Sequence, residues 1–375
     1  MVLAYIIYIF LFALLFAASA HNIKLVKEPV HNLEVGDKLN KYWRWPLIFA
    51  FTILVLIIGL RYDVGVDFMG YRNDYLGIVE WAHHRWLRIE RYEFGYEAIV
   101  RTLLYFNIKA WVLFTIIAIF TWYFFIQSFK IFPHLLKWGF FFAFTTGFFF
   151  ASNNGMRQTI ALVIFMYAIK FIEEKSLLKF TLYIILASSF HSSIFLVYPF
   201  YFFINRVSFT GPKWLILFTI SYFVGNKIDI RDLIIFGLEL YPKYQHYTDR
   251  FLEDFSDPTS GGIGNFYIFI LGFLIILLSG DLIKKMPKMK IYYNLFFIGA
   301  ILFNFFWKYS ILGRITYLFI WFKIFCLAAI AYHFAKSRNM WIAYFIIITQ
   351  LVMFFYKIFK SENQCAPFQF VFALS

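Results

Sequence analysis

Long uncharged runs separated by short polar segments dominate the chain. A membrane-spanning helix needs about 20 mostly apolar residues. Such runs fall at 1–20, 45–60, 110–129, 138–156, 158–172, 176–190, 192–205, 214–226, 263–280, 291–307, 315–335 and 340–356. The pattern predicts about twelve transmembrane helices, because only helices or closed barrels satisfy the backbone in lipid and period-two alternation is absent. Met1–Ala20 ends in Ala-Ala-Ser-Ala, yet it lacks the basic n-region of a signal peptide. It reads as a span with its N-terminus outside. Phe180–Asn205 is one uncharged stretch, which the polar cluster Ser188-Ser189-Phe190-His191-Ser192-Ser193 divides in two. Phe94–Asn107 carries Glu97 and Arg101, so it reads as an interfacial or re-entrant helix. Two longer polar stretches remain, 61–109 and 227–263, and both fall on the outer side of this topology. The expected fold is all-α: a polytopic bundle forming a single transmembrane domain over 1–375, with two larger outer loops.

Composition agrees. Hydrophobic residues make up 62% of the chain and charged ones 15%, against about 25% charged in soluble domains. A soluble chain of this size could not cover its surface with so few polar groups. Two cysteines form no disulfide framework. The net charge of +14 would suggest nucleic acid in a soluble protein, but no basic soluble domain exists here to bind it. Its distribution is more informative. The predicted inner segments hold Lys24, Lys27, Lys38, Lys41, Lys130, Lys137, Lys175, Lys179, Lys213, Lys284, Lys285, Lys288, Lys290 and Lys336, but only Arg44, Arg206 and Arg338 among the arginines. That lysine bias is the positive-inside signal. The other ten of 13 arginines, and 14 of 21 carboxylates in the two long loops, fall on or near the opposite side. Arginine suits bidentate contact with phosphate or carboxylate. These arginines can equally pair with the loops' own acids.

The first loop is too polar to span and too aromatic for a solvated linker. Tyr75, Val79, Ala82 and Trp86 share one face at helical spacing, as in a helix lying in the headgroup layer. The second loop sets Tyr241, Tyr244, Tyr247, Phe251 and Phe255 among acids and Arg250, and ends in Gly261-Gly262. Such aromatics anchor in membrane lipid or stack on sugar rings. A charge within a span is expensive and marks a candidate site. Arg157 follows Ser152-Asn153-Asn154-Gly155, a polar break that reads as a bent helix at a cavity. His191 lies at the outer ends of two predicted spans. Arg314 opens another span, and Lys323 sits inside it. No histidine has metal-site spacing with acids or cysteines, and GxGxxG, P-loop and H-E-x-x-H motifs are absent.

Three blocks, in order, resemble a known family. They are Arg61-Tyr62-Asp63-Val64-Gly65-Val66-Asp67-Phe68-Met69-Gly70-Tyr71, followed by Tyr75 and Glu93-Phe94-Gly95-Tyr96; then Gly155-Met156-Arg157-Gln158-Thr159-Ile160-Ala161; then Ser189-Phe190-His191-Ser192-Ser193. Together they resemble the EpsG-like bacterial polysaccharide polymerases, related in role to Wzy-type O-antigen polymerases. One departure is Phe94, where the family often carries Pro. The C-terminal half is similar only in hydropathy. The resemblance implies a GT-C-like helical glycosyltransferase of the bacterial cytoplasmic membrane, acting at its outer face without a cofactor. It would move a growing glycan from undecaprenyl diphosphate onto a lipid-linked repeat unit, and a chain-length regulator protein is a candidate partner. On chemical grounds, arginines at the membrane edge can hold the charge developing on a diphosphate leaving group. Arg157 and Arg314 are the expected clamp, with Arg61 and Arg250 as helpers. His191 is the favoured acceptor base, and Glu93, Asp67 and Asp63 are alternatives. Tyr71, Tyr75, Trp86 and Tyr247 are the stacking candidates. A lipid-linked oligosaccharide flippase and a glycan ligase are the competing readings. A flippase needs charges along the bundle, whereas these gather at one face.

Overall fold

The computed structural model describes residues 1–24, 42–77, 92–229, 235–236, 263–335 and 340–374. The elements these residues form are all helices; the pairing of Arg61 with Phe370 is an isolated bridge, and no strand occurs among them. They group into two compact units, Met1–Tyr201 with Ala343–Ser375, and Phe202–Ile342.

The first unit opens with α1 (Val2–Lys24) and α2 (Trp45–Gly59). Pro46 stands in the first turn of α2, where its missing N–H costs nothing. The two short helices α3 (Phe68–Leu76) and α4 (Phe94–Tyr105) follow, then α5 (Ala110–Ser128). Next come α6 (Leu136–Thr145), α7 (Phe148–Ser152), α8 (Met156–Glu173) and α9 (Leu177–Ser188). Aromatic side chains fill the space between them. Phe144 stacks on Phe149 at 4.3 Å, Phe125 on Phe148 at 5.5 Å, and Trp122 on Phe140 at 6.2 Å. In lipid there is no hydrophobic drive between helices, so such shape-fitted contacts and a few hydrogen bonds hold the bundle.

The second unit contains α11 (Pro212–Lys227), α12 (Ile263–Lys285), α13 (Met289–Phe306), α14 (Ser310–Ile320) and α15 (Lys323–Phe334). Two buried asparagines are paired within it. Asn294 on α13 donates to the carbonyls of Ile204 and Val207, both at 3.0 Å, and Asn304 donates to Ser221 Oγ at 2.7 Å.

Several expected spans differ from the helices that form. Among the described residues six helices are long and apolar enough to cross a membrane: Val2–His21, Ala110–Ile131, Gly264–Lys285, Met289–Phe306, Leu312–Phe334 and Met340–Phe359. The polytopic all-helical character stands, but the count of twelve does not follow from it. The predicted run 138–156 is cut at Gly147, whose φ of +90° ends α6 and starts α7. Left-handed backbone of this kind favours glycine. The predicted split of Phe180–Asn205 occurs where expected: α9 stops at Ser188, His191 is extended, and a 3-10 turn runs over Ser192–Val197 before α10 (Phe200–Phe203). The run 315–335 turns at Trp321 and Phe322, between α14 and α15. Phe94–Tyr105 is a separate short helix, as its charges suggested. The helix carrying Tyr75 ends at Leu76, where Gly77 adopts φ +63°; the rest of the proposed face, Val79, Ala82 and Trp86, falls beyond it. Residues 78–91, with Trp86, and most of the second loop, with Tyr247 and Arg250, lie outside the described residues.

Candidate functional site

Three polar breaks meet at one end of the first unit. They are the two stretches 61–77 and 92–93, on either side of residues outside the described set, the α7–α8 junction, and the α9–Ser192 junction. Each is a place where a helix stops early, which frees side chains from the bundle interior.

The closest approach is between the α4 start and the end of α9. Gly95 N–H donates to the carbonyl of Ser189 at 2.7 Å. A Cβ at Gly95 would lie 2.4 Å from Ser189 Oγ and 2.8 Å from its carbonyl oxygen. Glycine is therefore required sterically inside the block Glu93-Phe94-Gly95-Tyr96. This contact places Glu93, which precedes α4, against the polar turn that follows α9. Glu93 Oε1 accepts from the Ser192 backbone N–H at 3.0 Å and from Ser192 Oγ at 3.4 Å.

The other carboxylate oxygen, Oε2, forms an ion pair with Arg157 Nη1. Arg157 stands in the first turn of α8, where the helix dipole disfavours a cation. Its surroundings offset that cost. The guanidinium lies 4.3 Å from the Tyr92 ring centroid and 5.7 Å from that of Tyr96, within cation–π range. The Tyr71 phenol is also within hydrogen-bonding reach. Arg157 Nε is buried without a hydrogen-bond partner, although the side chain retains 20% of its exposure. The helix N-terminus adds backbone N–H groups outside the intrahelical ladder. Arginine and helix end together make a site that prefers an anion.

The cage is itself braced. Tyr92 donates its phenolic hydrogen to Asp74 Oδ2 at 2.6 Å. Burial pushes the Tyr92 phenol well above its usual range, and the bond to Asp74 pushes it further. It thus stays protonated and keeps donating. Tyr96 packs edge-on against Tyr92 at 5.0 Å, and Tyr71 packs on Tyr96 at 5.8 Å.

The remaining candidates separate clearly. His191 is half-buried next to Ser192, with Nδ1 2.7 Å from Ser193 Oγ. Arg61 is only 2% exposed. It donates to the carbonyls of Val64 at 3.1 Å, Ile58 at 2.8 Å and Asn153 at 3.3 Å, and touches Met156 Sδ at 3.4 Å. Phe68 and Phe114 enclose it. Burial pushes its guanidinium down to about 10, which still leaves it charged at neutral pH. Arg61 braces the junction that presents Arg157, which is a different task from the expected helper to a ligand. Tyr75 is buried and donates to the Ile108 carbonyl at 2.5 Å, so its hydroxyl tethers α3. Asp67 is exposed, and its backbone N–H donates to Asn154 Oδ1 at 3.4 Å. Asp63 is exposed with φ +49°. Arg314 is exposed on α14 of the second unit. Among the described residues no group of three or more His, Cys, Asp or Glu could hold a metal ion.

A family model described as the EpsG family matches residues 44–370. The chain belongs to the EpsG family. This match covers all the segments that build the site, and it extends the resemblance through the C-terminal half. No curated protein and no solved structure matches the chain. As an EpsG family member it is a polysaccharide-polymerase-like multi-pass membrane protein, in a family associated with glycosyltransferase-like polymerases.

The sequence blocks of this EpsG protein contain Arg157, Glu93, Tyr71 and His191. Tyr96 and Ser192 stand in the same blocks without an assigned role, and Tyr92 and Asp74 escaped sequence reasoning. Tyr92 carried a signal, since it directly precedes the block that opens with Glu93. Asp74 had none, because its partner Tyr92 is distant in the chain. The C-terminal tail was also missed. Its Gln364 and Gln369 carbonyls accept from Gly65 and Tyr62 N–H at 3.0 and 2.9 Å, and its Asn363 carbonyl accepts from Asn154 Nδ2 at 3.4 Å.

Proposed function

We propose that this EpsG protein polymerises glycan at the outer face of the bacterial cytoplasmic membrane. It transfers a growing chain from undecaprenyl diphosphate to the sugar hydroxyl of a lipid-linked repeat unit, within a GT-C-like bundle. The observation that carries this reading is Arg157. It is a half-buried guanidinium at a helix N-terminus, oriented by two tyrosine rings and already holding an anionic group. A lipid diphosphate is an anion that reaches such a membrane-edge position with its chain still in the bilayer.

Breaking the anomeric C–O bond builds negative charge on the departing diphosphate. Arg157, with its fork already oriented, stabilises that charge more in the transition state than in the ground state. A metal ion is not required by this arrangement. The acceptor hydroxyl attacks the anomeric carbon from the opposite side, and its proton passes to a base, for which Glu93 and His191, on two adjoining segments, are the candidates. Tyr71 offers a ring for sugar stacking. Arg314, Arg250, Tyr247 and Trp86 remain proposed contributors on the same grounds as in the sequence, and a chain-length regulator remains a proposed partner.

The test is a reconstitution. Purified protein and a defined undecaprenyl-diphosphate repeat unit should yield a ladder of products. Intact protein that gives no ladder across candidate repeat units would count against polymerisation. In cells, loss of the protein should leave single-repeat lipid-linked units at the outer face. Units stranded at the inner face would point to a flippase instead.

A further inference from the structure

Glu93 makes contacts that the anion-binding reading does not by itself explain. One carboxylate oxygen occupies the guanidinium of Arg157, while the other is held by the Ser192 N–H at 3.0 Å and Ser192 Oγ at 3.4 Å. The two holds differ in kind. The Ser192 bond is to backbone, in a turn next to the Gly95–Ser189 contact at 2.7 Å, and it does not involve Arg157. The Arg157 bond is an ion pair in which both side chains are 20% exposed, so another anion can compete for it.

We propose that Glu93 is a catalytic residue that changes partners. It holds Arg157 until a lipid diphosphate takes the guanidinium, and then serves as the base for the acceptor hydroxyl. This rests on the reading of Arg157 as the diphosphate-binding group.

While one oxygen faces Arg157 and the other the Ser192 N–H, neither carboxylate oxygen is presented to an acceptor hydroxyl. A diphosphate has more charge and more acceptor oxygens than a carboxylate, so it displaces Glu93 from the fork. Glu93 keeps its Ser192 bond and stays near the reacting centre, now without its cation. In the transfer step the acceptor oxygen forms the new bond to the anomeric carbon. The C–O bond to the diphosphate breaks, its electron pair leaves with the diphosphate, and the hydroxyl proton moves to the Glu93 carboxylate. Acceptor activation then depends on donor binding, which keeps the base masked while the donor site is empty. His191 is less suited to this coupling, since its Nδ1 engages Ser193 Oγ and the Arg157 ion pair is made by Glu93.

The experiment uses the full-length protein in detergent, with inorganic pyrophosphate as the binding probe and the defined repeat unit for turnover. Glu93→Gln removes the competing charge at nearly constant shape. It should bind pyrophosphate about tenfold more tightly, the scale of a partly exposed ion pair. Its turnover should fall by about a hundredfold or more, as for a lost general base. Glu93→Asp keeps the charge and should not tighten binding. A purely structural brace would not show this opposite movement of affinity and rate. Folded Glu93→Gln protein with unchanged or weaker binding would overturn the partner change. Tighter binding with unimpaired turnover would overturn the base assignment. Arg157→Lys binding pyrophosphate as well as the wild type would instead overturn the reading of Arg157, and so separates the two failures.

Discussion

Arg61 and Arg157 lie at the same end of the first unit, and both touch the α7–α8 junction. Arg61 is 2% exposed, and its nitrogens meet three carbonyl oxygens and a thioether. Arg157 retains 20% exposure, pairs with one carboxylate, lies over tyrosine rings, and leaves Nε without a partner. Neutral carbonyls are local, permanent acceptors, so Arg61 is satisfied within the fold. A single carboxylate is an exchangeable partner, so Arg157 is oriented but not consumed. The pair shows that residue type and position at one end of the unit do not define an anion site. What defines it is whether the fold supplies every partner or leaves one to be supplied.

The sharpest way to break this contrast is Arg157→Lys. Lysine keeps the charge but loses the planar fork and its ring stacking. Polymer in a product ladder should fall by about 10²–10³-fold or more, the scale of a lost transition-state donor, with membrane protein levels unchanged. Long-chain polymer persisting in these cells would remove the clamp. The converse substitution, Arg61→Met, should act on stability. It strands the carbonyls of Ile58, Val64 and Asn153, a loss of about 2–4 kcal/mol, read as a lower Tm in detergent. Polymer should then drop only as far as folded protein does; a full loss of turnover at normal abundance would give Arg61 a role at the ligand.

Gly95→Ala probes the contact that joins the α4 start to the α9 end. Its methyl group would meet Ser189 Oγ at 2.4 Å, and the strain should cost about 1–3 kcal/mol. Because Glu93 is two residues away, turnover per folded molecule should also fall. A Tm and rate equal to the wild type would show that the approach is looser. The mildest change is Tyr92→Phe, which keeps the ring over Arg157 and removes only the bond to Asp74. Its expected cost is about 1 kcal/mol, seen as a several-fold drop in rate. A larger loss would indicate that the Tyr92 hydroxyl itself meets substrate.

The sequence revealed the two ingredients separately. Glycine, asparagine and arginine interrupting an apolar run marked 152–158 as a break, and serines around His191 marked the second one correctly. Both signals are local, because a polar residue in an apolar run is costly wherever the chain then goes. The span count was less legible. Gly147 looks like any glycine in a phenylalanine-rich helix, and only its left-handed backbone divides the run. Arg61 and Arg157 looked alike, since each is an arginine beside aromatic and polar residues. Tyr75 was placed with the stacking residues, but its hydroxyl bonds Ile108. Asp74 and the C-terminal tail were invisible, because their partners are far away in the chain.

The sequence by itself determined that this is a helical membrane protein of the EpsG family, with arginine and carboxylate concentrated away from the lysine-rich segments. Hydropathy and charge are properties of each residue against water and lipid, and they need no partner to be read. The tertiary structure alone decided which arginine is braced and which is presented. It also decided that Glu93 spans Arg157 and Ser192, and that Tyr92 leans on Asp74. Those outcomes depend on contacts between residues 18 to 99 positions apart, and a side chain's chemistry is set by the atoms it meets there.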